Sequence, residues 1–187
     1  ACQIMYDFMW SDFCDWYIEL TKPALWSDDE SRKDGAVSVL YFVLDNALRL
    51  LHPFIPFITE EIYSNLPKTE GSIMVAPFPR YNSKLAYKKE ANAFVGVMEV
   101  IKAIREVKVE TGCAPSKRVN VYLVTDAKRL IQTNAECICK LAGAEGIKVI
   151  SSQEEAGEKL VTKVTSIGTL YIPMGELVDA DKERARL

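Results

Sequence analysis

Five basic residues near the middle of the chain have the side chains best suited to binding another molecule. Lys102, Arg105 and Lys108 follow one another at intervals of three residues on a predicted helix, and Lys117 and Arg118 come shortly after it. Residues three apart on a helix are neighbours, so the first three would form a slanted row that could bind phosphate groups. Alternatively, these long side chains extend along the edge of the core and keep their charges in water. The pattern leaves both interpretations open.

The charge distribution favours a basic surface in this region. The chain has a net charge of −3, but residues 80–118 contain 9 basic and 4 acidic side chains, whereas residues 1–79 contain 5 basic and 12 acidic ones. Salt screening confines each patch to its own neighbourhood, so a basic region can attract a polyanion although the whole protein is acidic. A merely solvated basic face would give the same counts.

Groups for catalysis are scarce. His52 is the one histidine, and neither G-x-G-x-x-G nor G-x-x-x-x-G-K-[ST] occurs. The five cysteines contain no C-x-x-C pair, so they predict neither a zinc site nor a disulfide framework. No apolar run approaches the roughly 20 residues of a membrane-spanning helix. We therefore expect no catalytic residue, metal or cofactor in this chain, no membrane partner and a cytoplasmic location.

The run FCDWYIEL, residues 13–20, combines a cysteine, aromatic residues and acids. On a helix of about 100° per residue the aromatic side chains share one face and the acids the other, which predicts a core helix and no catalytic cluster. The stretch HPFIPFITEEIY predicts a rigid corner between two helices. The residues expected to be structural in these two segments are Trp10, Phe13, Trp16, Tyr17, Pro53 and Pro56.

The periodicity of the remaining chain predicts an α+β fold. Helical patterns continue to about residue 109, and alternating β-branched stretches such as RVNVYLV then indicate a smaller unit of strands with one helix. Heptad-like spacing follows from Gly175. We expect a mainly α-helical bundle at 1–112, a small α+β unit at 113–174, and the start of a C-terminal coiled-coil helix at 175–187.

Four stretches resemble successive landmarks of the C-terminal part of bacterial valyl-tRNA synthetases. They are WSDFCDWYIELTKPAL, LRLLHPFIPFITEEIY, IMVAPFPR and LYIPMGELVDADKERARL, and they occur in the same order and at similar separations as in that family. The resemblance covers essentially the whole chain. HPFIPFITEE alone is shared with isoleucyl- and, more loosely, leucyl-tRNA synthetases, so these relatives remain an alternative.

The resemblance implies that residues 1–112 belong to a helical anticodon-binding domain that lacks its first helices. It also implies tRNA as the partner, specific for valine, and a monomer. The parent enzyme would attach valine to tRNA with ATP and magnesium and would edit mischarged threonine. The HIGH and KMSKS motifs of such enzymes do not occur in this sequence, so those reactions and cofactors are expected outside this chain. The alternative from another class is a helical module that docks proteins through its acidic first third or its coiled-coil segment.

Overall fold

The computed structural model of the chain describes residues 2–67, 69 and 71–177. Its contacts divide the chain into two compact units, the first ending at Leu85 and the second beginning at Ala86. Helices dominate the first unit and a four-stranded sheet lies in the second, which confirms the α+β class. The compact units divide at 85/86 because the long helix that follows packs against elements of the second unit, while the predicted domain boundary near residue 112 stays a prediction.

The first unit begins with a continuous helical run that changes its winding. It comprises α1 (Cys2–Asp7), a π-helical segment (Phe8–Ile18) and α2 (Glu19–Leu25). Pro23 lies inside α2 and does not end the helix. The i→i+5 hydrogen bonding of a π-helix turns each residue less than an α-helix does. Side chains spaced for a 3.6-residue period therefore drift away from a single face.

This winding explains the burial of the aromatic residues. Phe13 is buried, with 5% of its surface exposed, and stacks with Tyr17 at 6.0 Å between ring centroids. Tyr17 and Trp16 are partly buried, and burial raises the pKa of the Tyr17 hydroxyl. Trp10 is 61% exposed and stacks on Tyr6, with 6.4 Å between the ring centroids. This corrects the expectation that Trp10 lies in the core.

Two further helices complete the first unit. Asp29 caps α3 (Glu30–Leu51) by accepting hydrogen bonds from the amides of Ser31 and Arg32. Pro56 opens α4 (Pro56–Ser64) at the first helical position, where a missing N–H costs nothing. Pro56 and Pro53 are exposed, so both shape the turn without belonging to the core. A buried cluster joins α3, α4 and the 3₁₀ turn Ile73–Val75, and its members are Leu48, Tyr63 and Ile73.

The second unit is built around helix α5 (Lys88–Glu110). The side chains on its sheet-facing side show no exposed surface, and they are Val97, Val100, Ile101, Ile104 and Val107. Gly96 permits a close approach, since a Cβ there would lie 2.3 Å from Cγ2 of Ile167. α5 packs against α7 and β3.

The sheet has the strand order β2-β1-β4-β3. β1 and β2 are parallel and are connected through α6 and α7, while β4 is antiparallel to both β1 and β3. The element bounds are β1 (Val119–Val124), α6 (Lys128–Thr133), α7 (Ala135–Ala142), β2 (Ala144–Ile150), β3 (Leu160–Thr165), β4 (Gly168–Pro173) and α8 (Met174–Leu177). The coiled-coil prediction for 175–187 falls mostly outside the described residues.

Candidate nucleic-acid interface

The C-terminal end of α5 forms a tight turn whose backbone amides are hydrogen-bonded. Gly112 adopts a left-handed conformation, with φ of +65°, and its amide donates to the carbonyl of Val109 at 3.1 Å. The amide of Cys113 donates to the carbonyl of Lys108 at 2.9 Å. These two bonds are the Schellman pattern, in which glycine supplies the required positive φ at no steric cost. The loop that follows therefore leaves α5 in a defined direction.

Lys108 lies at the centre of this region, and its ammonium group is buried and hydrogen-bonded within the protein. Only 6% of its surface is exposed. Its Nζ donates to the carbonyl oxygens of Lys117 at 2.7 Å, Gly143 at 3.1 Å and Pro115 at 3.3 Å. An ammonium group has three donors, so these bonds satisfy it completely. This corrects the expectation that Lys108 contacts phosphate: it ties the loop after α5 to the end of α7.

Arg105 lies on the outer surface of the same region. It is exposed, and its Nε donates to the carbonyl of Leu141 at 2.8 Å. Leu141 is in the last turn of α7, where carbonyl groups without helical partners attract a cation. The guanidinium is thereby held beside a cavity of about 420 Å³ that is also lined by Lys140 and Pro115. Arg105 thus combines exposure with a fixed position.

Lys102 faces a different side of α5 and has acidic neighbours. It lines a cavity of about 350 Å³ together with Glu99, Glu106 and Lys163. Hydrogen bonds from Ser166, and to a lesser degree the charge of Lys102, lower the pKa of the Glu99 carboxyl. Lys163 pairs with Glu106 at 3.4 Å. The slanted row expected from the sequence is therefore divided, because Lys102 lies among carboxylates on the β3 side of the helix.

Lys117 and Arg118 lie in the loop that Lys108 holds. Lys117 is partly exposed and Arg118 is exposed. Arg118 is close enough to α7 to oppose the rise that burial causes in the pKa of Cys139, while Glu145 adds to that rise. We call Arg105, Lys117, Arg118 and Lys140 the basic rim. Lys140 was not predicted as a binding residue from the sequence. Its position on α7 does not reveal that the packing of α7 against α5 brings it close to Arg105.

An arginine network in the first unit was also missed by sequence reasoning. The Arg49 guanidinium forms a two-point ion pair with Asp45, which lies one turn earlier on α3. Hydrogen bonding to Asp45 raises the pKa of Arg49. Nη1 donates to the carbonyl of Pro77 at 3.2 Å, and the group lies 6.0 Å from the centre of the Tyr63 ring. Arg49 therefore joins α3 to the connector that contains Pro77.

Two negative findings apply to the described residues. Their His, Cys, Asp and Glu side chains form no group of three or more that could hold a metal ion. Their helices include none with the length and apolar character needed to cross a membrane.

Comparison with known proteins gives consistent matches. Residues 1–123 match a family model described as the anticodon-binding domain of tRNA ligase. The whole chain is 42% identical to a valine–tRNA ligase of Clostridium acetobutylicum and 40% identical to one of Carboxydothermus hydrogenoformans, covering 22% and 21% of those proteins. Over 98% of its length it is 37% identical to a valine–tRNA ligase of Geobacillus stearothermophilus, of which it covers 21%. The chain thus spans about a fifth of the length of the curated relatives it matches.

Proposed function

The chain belongs to the anticodon-binding domain family of tRNA ligases, and from that premise we propose that it is a tRNA-binding part of a valine–tRNA ligase. The observation that carries the proposal is the match of essentially the full chain, at 36–42% identity, to proteins of that name. The family indicates tRNA as the partner, and the names of the relatives indicate specificity for the valine tRNA.

The basic rim is the part of the second unit that best fits a phosphate backbone. Arg105 presents a planar guanidinium with several donors, a geometry that suits phosphate oxygens. Arg118 and Lys117 extend the positive charge along the loop before β1. Such contacts hold a nucleic acid in place without reading its sequence. The rim therefore contributes affinity and orientation, and selection of the valine tRNA comes from other contacts.

Lys108 holds in place the backbone that carries the basic rim. Its three bonds join the loop carbonyls of Pro115 and Lys117 to Gly143 at the end of α7. The loop that carries Lys117 and Arg118 is thus fixed relative to the helix that carries Lys140. A fixed arrangement of cations loses less conformational entropy when a ligand binds.

The activity of the whole protein is part of the same proposal. A valine–tRNA ligase attaches valine to its tRNA at the expense of ATP, with magnesium bound to the nucleotide. We assign that chemistry to sequence outside this chain, since neither motif of the catalytic domain occurs here. We also propose a cytoplasmic monomer.

A second candidate function is protein docking through the first unit. The observation that favours it is the exposure of apolar side chains on α4, where Phe57 is 91% and Ile58 53% exposed. Contiguous apolar surface of this kind marks interaction sites. Binding through such a surface would depend weakly on salt, whereas binding through the basic rim would depend strongly on it.

Salt dependence is therefore the test. Binding of the chain to a valine tRNA transcript, followed by fluorescence anisotropy between 50 and 300 mM KCl, is expected to weaken with a log–log slope of about −2 if three phosphates are engaged. Arg105→Gln and Arg118→Gln should each make the slope shallower by about 0.7. Lys102→Gln is the matched control and should leave the slope unchanged, because carboxylates flank that side chain. Equal slopes for all four proteins would contradict the assignment of the rim.

A further inference from the structure

The connector after α4 forms a concave site against α3 in the first unit. An open cavity of about 520 Å³ is lined by Asn46 and Arg49 from the helix and by Pro77, Phe78, Pro79 and Arg80 from the connector. A single nucleobase or a similar planar group would fit in that volume. The residues that line it all belong to the first unit, whereas those of the basic rim belong to the second.

Hydrogen bonds fix the side chains at the floor of the cavity. Arg49 is held by Asp45, which is only 6% exposed, and by the carbonyl of Pro77. Asn46 is oriented by a bond from its Nδ2 to the carbonyl of Phe42 at 2.7 Å. A guanidinium and a carboxamide held in this way can hydrogen-bond the edge of a base without first losing rotamer freedom.

One wall of the cavity is formed by the solvent-exposed aromatic ring of Phe78. Phe78 is 62% exposed, although burying a phenylalanine ring is favourable by about 1.5–3 kcal/mol. It lies between two prolines, whose fixed φ angles limit the conformations open to the segment. Arg80 follows, so the connector offers an aromatic face and a cation within three residues. That pairing is typical of proteins that bind single-stranded nucleic acid.

We propose that this cavity binds one unstacked base of an RNA loop, an assignment that rests on the proposed function. The base stacks on Phe78, its edge meets Asn46 and the Arg49 guanidinium, and Arg80 contacts the adjoining phosphate. Residues 1–85 contain 12 acidic and 7 basic side chains, so phosphate attraction alone would not bring RNA to this unit. Stacking supplies a share of affinity that does not depend on charge.

Two variants of the full chain test the site. The probe is an RNA hairpin with a seven-nucleotide loop that carries 2-aminopurine at each loop position in turn, since the fluorescence of this base changes when it stacks. Phe78→Ala should weaken binding about five- to a hundredfold and abolish the fluorescence change at one loop position. Trp26→Ala removes an even larger ring that is 70% exposed in the same unit, and it should leave both readouts unchanged. Circular dichroism and melting temperature verify that both variants fold.

The outcomes separate this site from the basic rim. Phe78→Ala should leave the salt slope unchanged, whereas Arg80→Gln should make it shallower by about 0.7. If Arg105→Gln made the salt slope shallower while Phe78→Ala left RNA binding unchanged, the base site would be overturned. The proposed function would stand. A blunt RNA duplex that binds as tightly as the hairpin would also overturn the base site. Wild-type protein that binds none of these RNAs would overturn both proposals.

Discussion

Replacing Lys108 by methionine tests whether this buried lysine organises the second unit. Methionine keeps most of the apolar stem but removes the ammonium that donates to Pro115, Lys117 and Gly143. A hydrogen bond to a charged group contributes about 1.5–3 kcal/mol, and three carbonyl oxygens would lose their donor together. Relief from burying the charge offsets part of the loss. We expect the free energy of unfolding of the second unit to fall by about 2–4 kcal/mol.

The assay is thermal and urea unfolding of the full chain. For a domain of 60–100 residues each kcal/mol lowers the melting temperature by about 4–8 °C, so the variant should melt roughly 8–30 °C below the wild type. The transition of the second unit must be fitted separately, because two compact units need not unfold together. Tryptophan fluorescence reports the first unit, since all three tryptophans precede residue 27, and far-UV circular dichroism reports both units.

Lys102→Met is the matched control, because it makes the same change at an exposed position of the same helix. Surface substitutions of this kind usually alter stability by no more than about 0.5 kcal/mol. If Lys108→Met melted within 2 °C of both the control and the wild type, the ammonium would not be holding the loop. If it also made the salt slope of tRNA binding shallower while the melting temperature stayed unchanged, the phosphate interpretation of Lys108 would be restored.

Three other changes are predicted from the same structure. Phe13→Ala should cost about 3–5 kcal/mol of stability because the ring is buried, whereas Trp10→Ala, at an exposed position, should cost far less; urea titrations compare the two. Gly143→Ala should lower the free energy of unfolding by about 1–2 kcal/mol, since φ is +64° and the new Cβ would lie 2.7 Å from Nζ of Lys108. Asparagine tolerates a positive φ better than alanine, so recovery of stability in Gly143→Asn would show that the backbone conformation causes the loss. Amide replacement of the three acids in the first helical run should leave tRNA affinity equal or slightly higher, and a loss of affinity with intact folding would place the RNA on that face. These acids are Asp12, Asp15 and Glu19.

Some features follow from local pattern and were predictable from the sequence. Alternation in RVNVYLV predicted β1, and the helical pattern predicted to continue to about residue 109 corresponds to α5, which ends at Glu110. The motif series identified the synthetase family, which the comparisons confirm. All of these depend on neighbours within a few residues along the chain.

The roles of individual side chains could not be predicted in the same way. The sequence alone determined that Lys108 continues an apolar helix face and that Phe78 lies between prolines. Only the tertiary structure decided that Lys108 meets the carbonyl of Gly143, 35 residues away, and that Phe78 lines a cavity against Arg49. The π-helical winding likewise decided which aromatic residues are buried. Periodicity shows which way a side chain leaves its own helix, but the acceptors that it meets there are brought by other elements, and their approach depends on the packing of the whole unit.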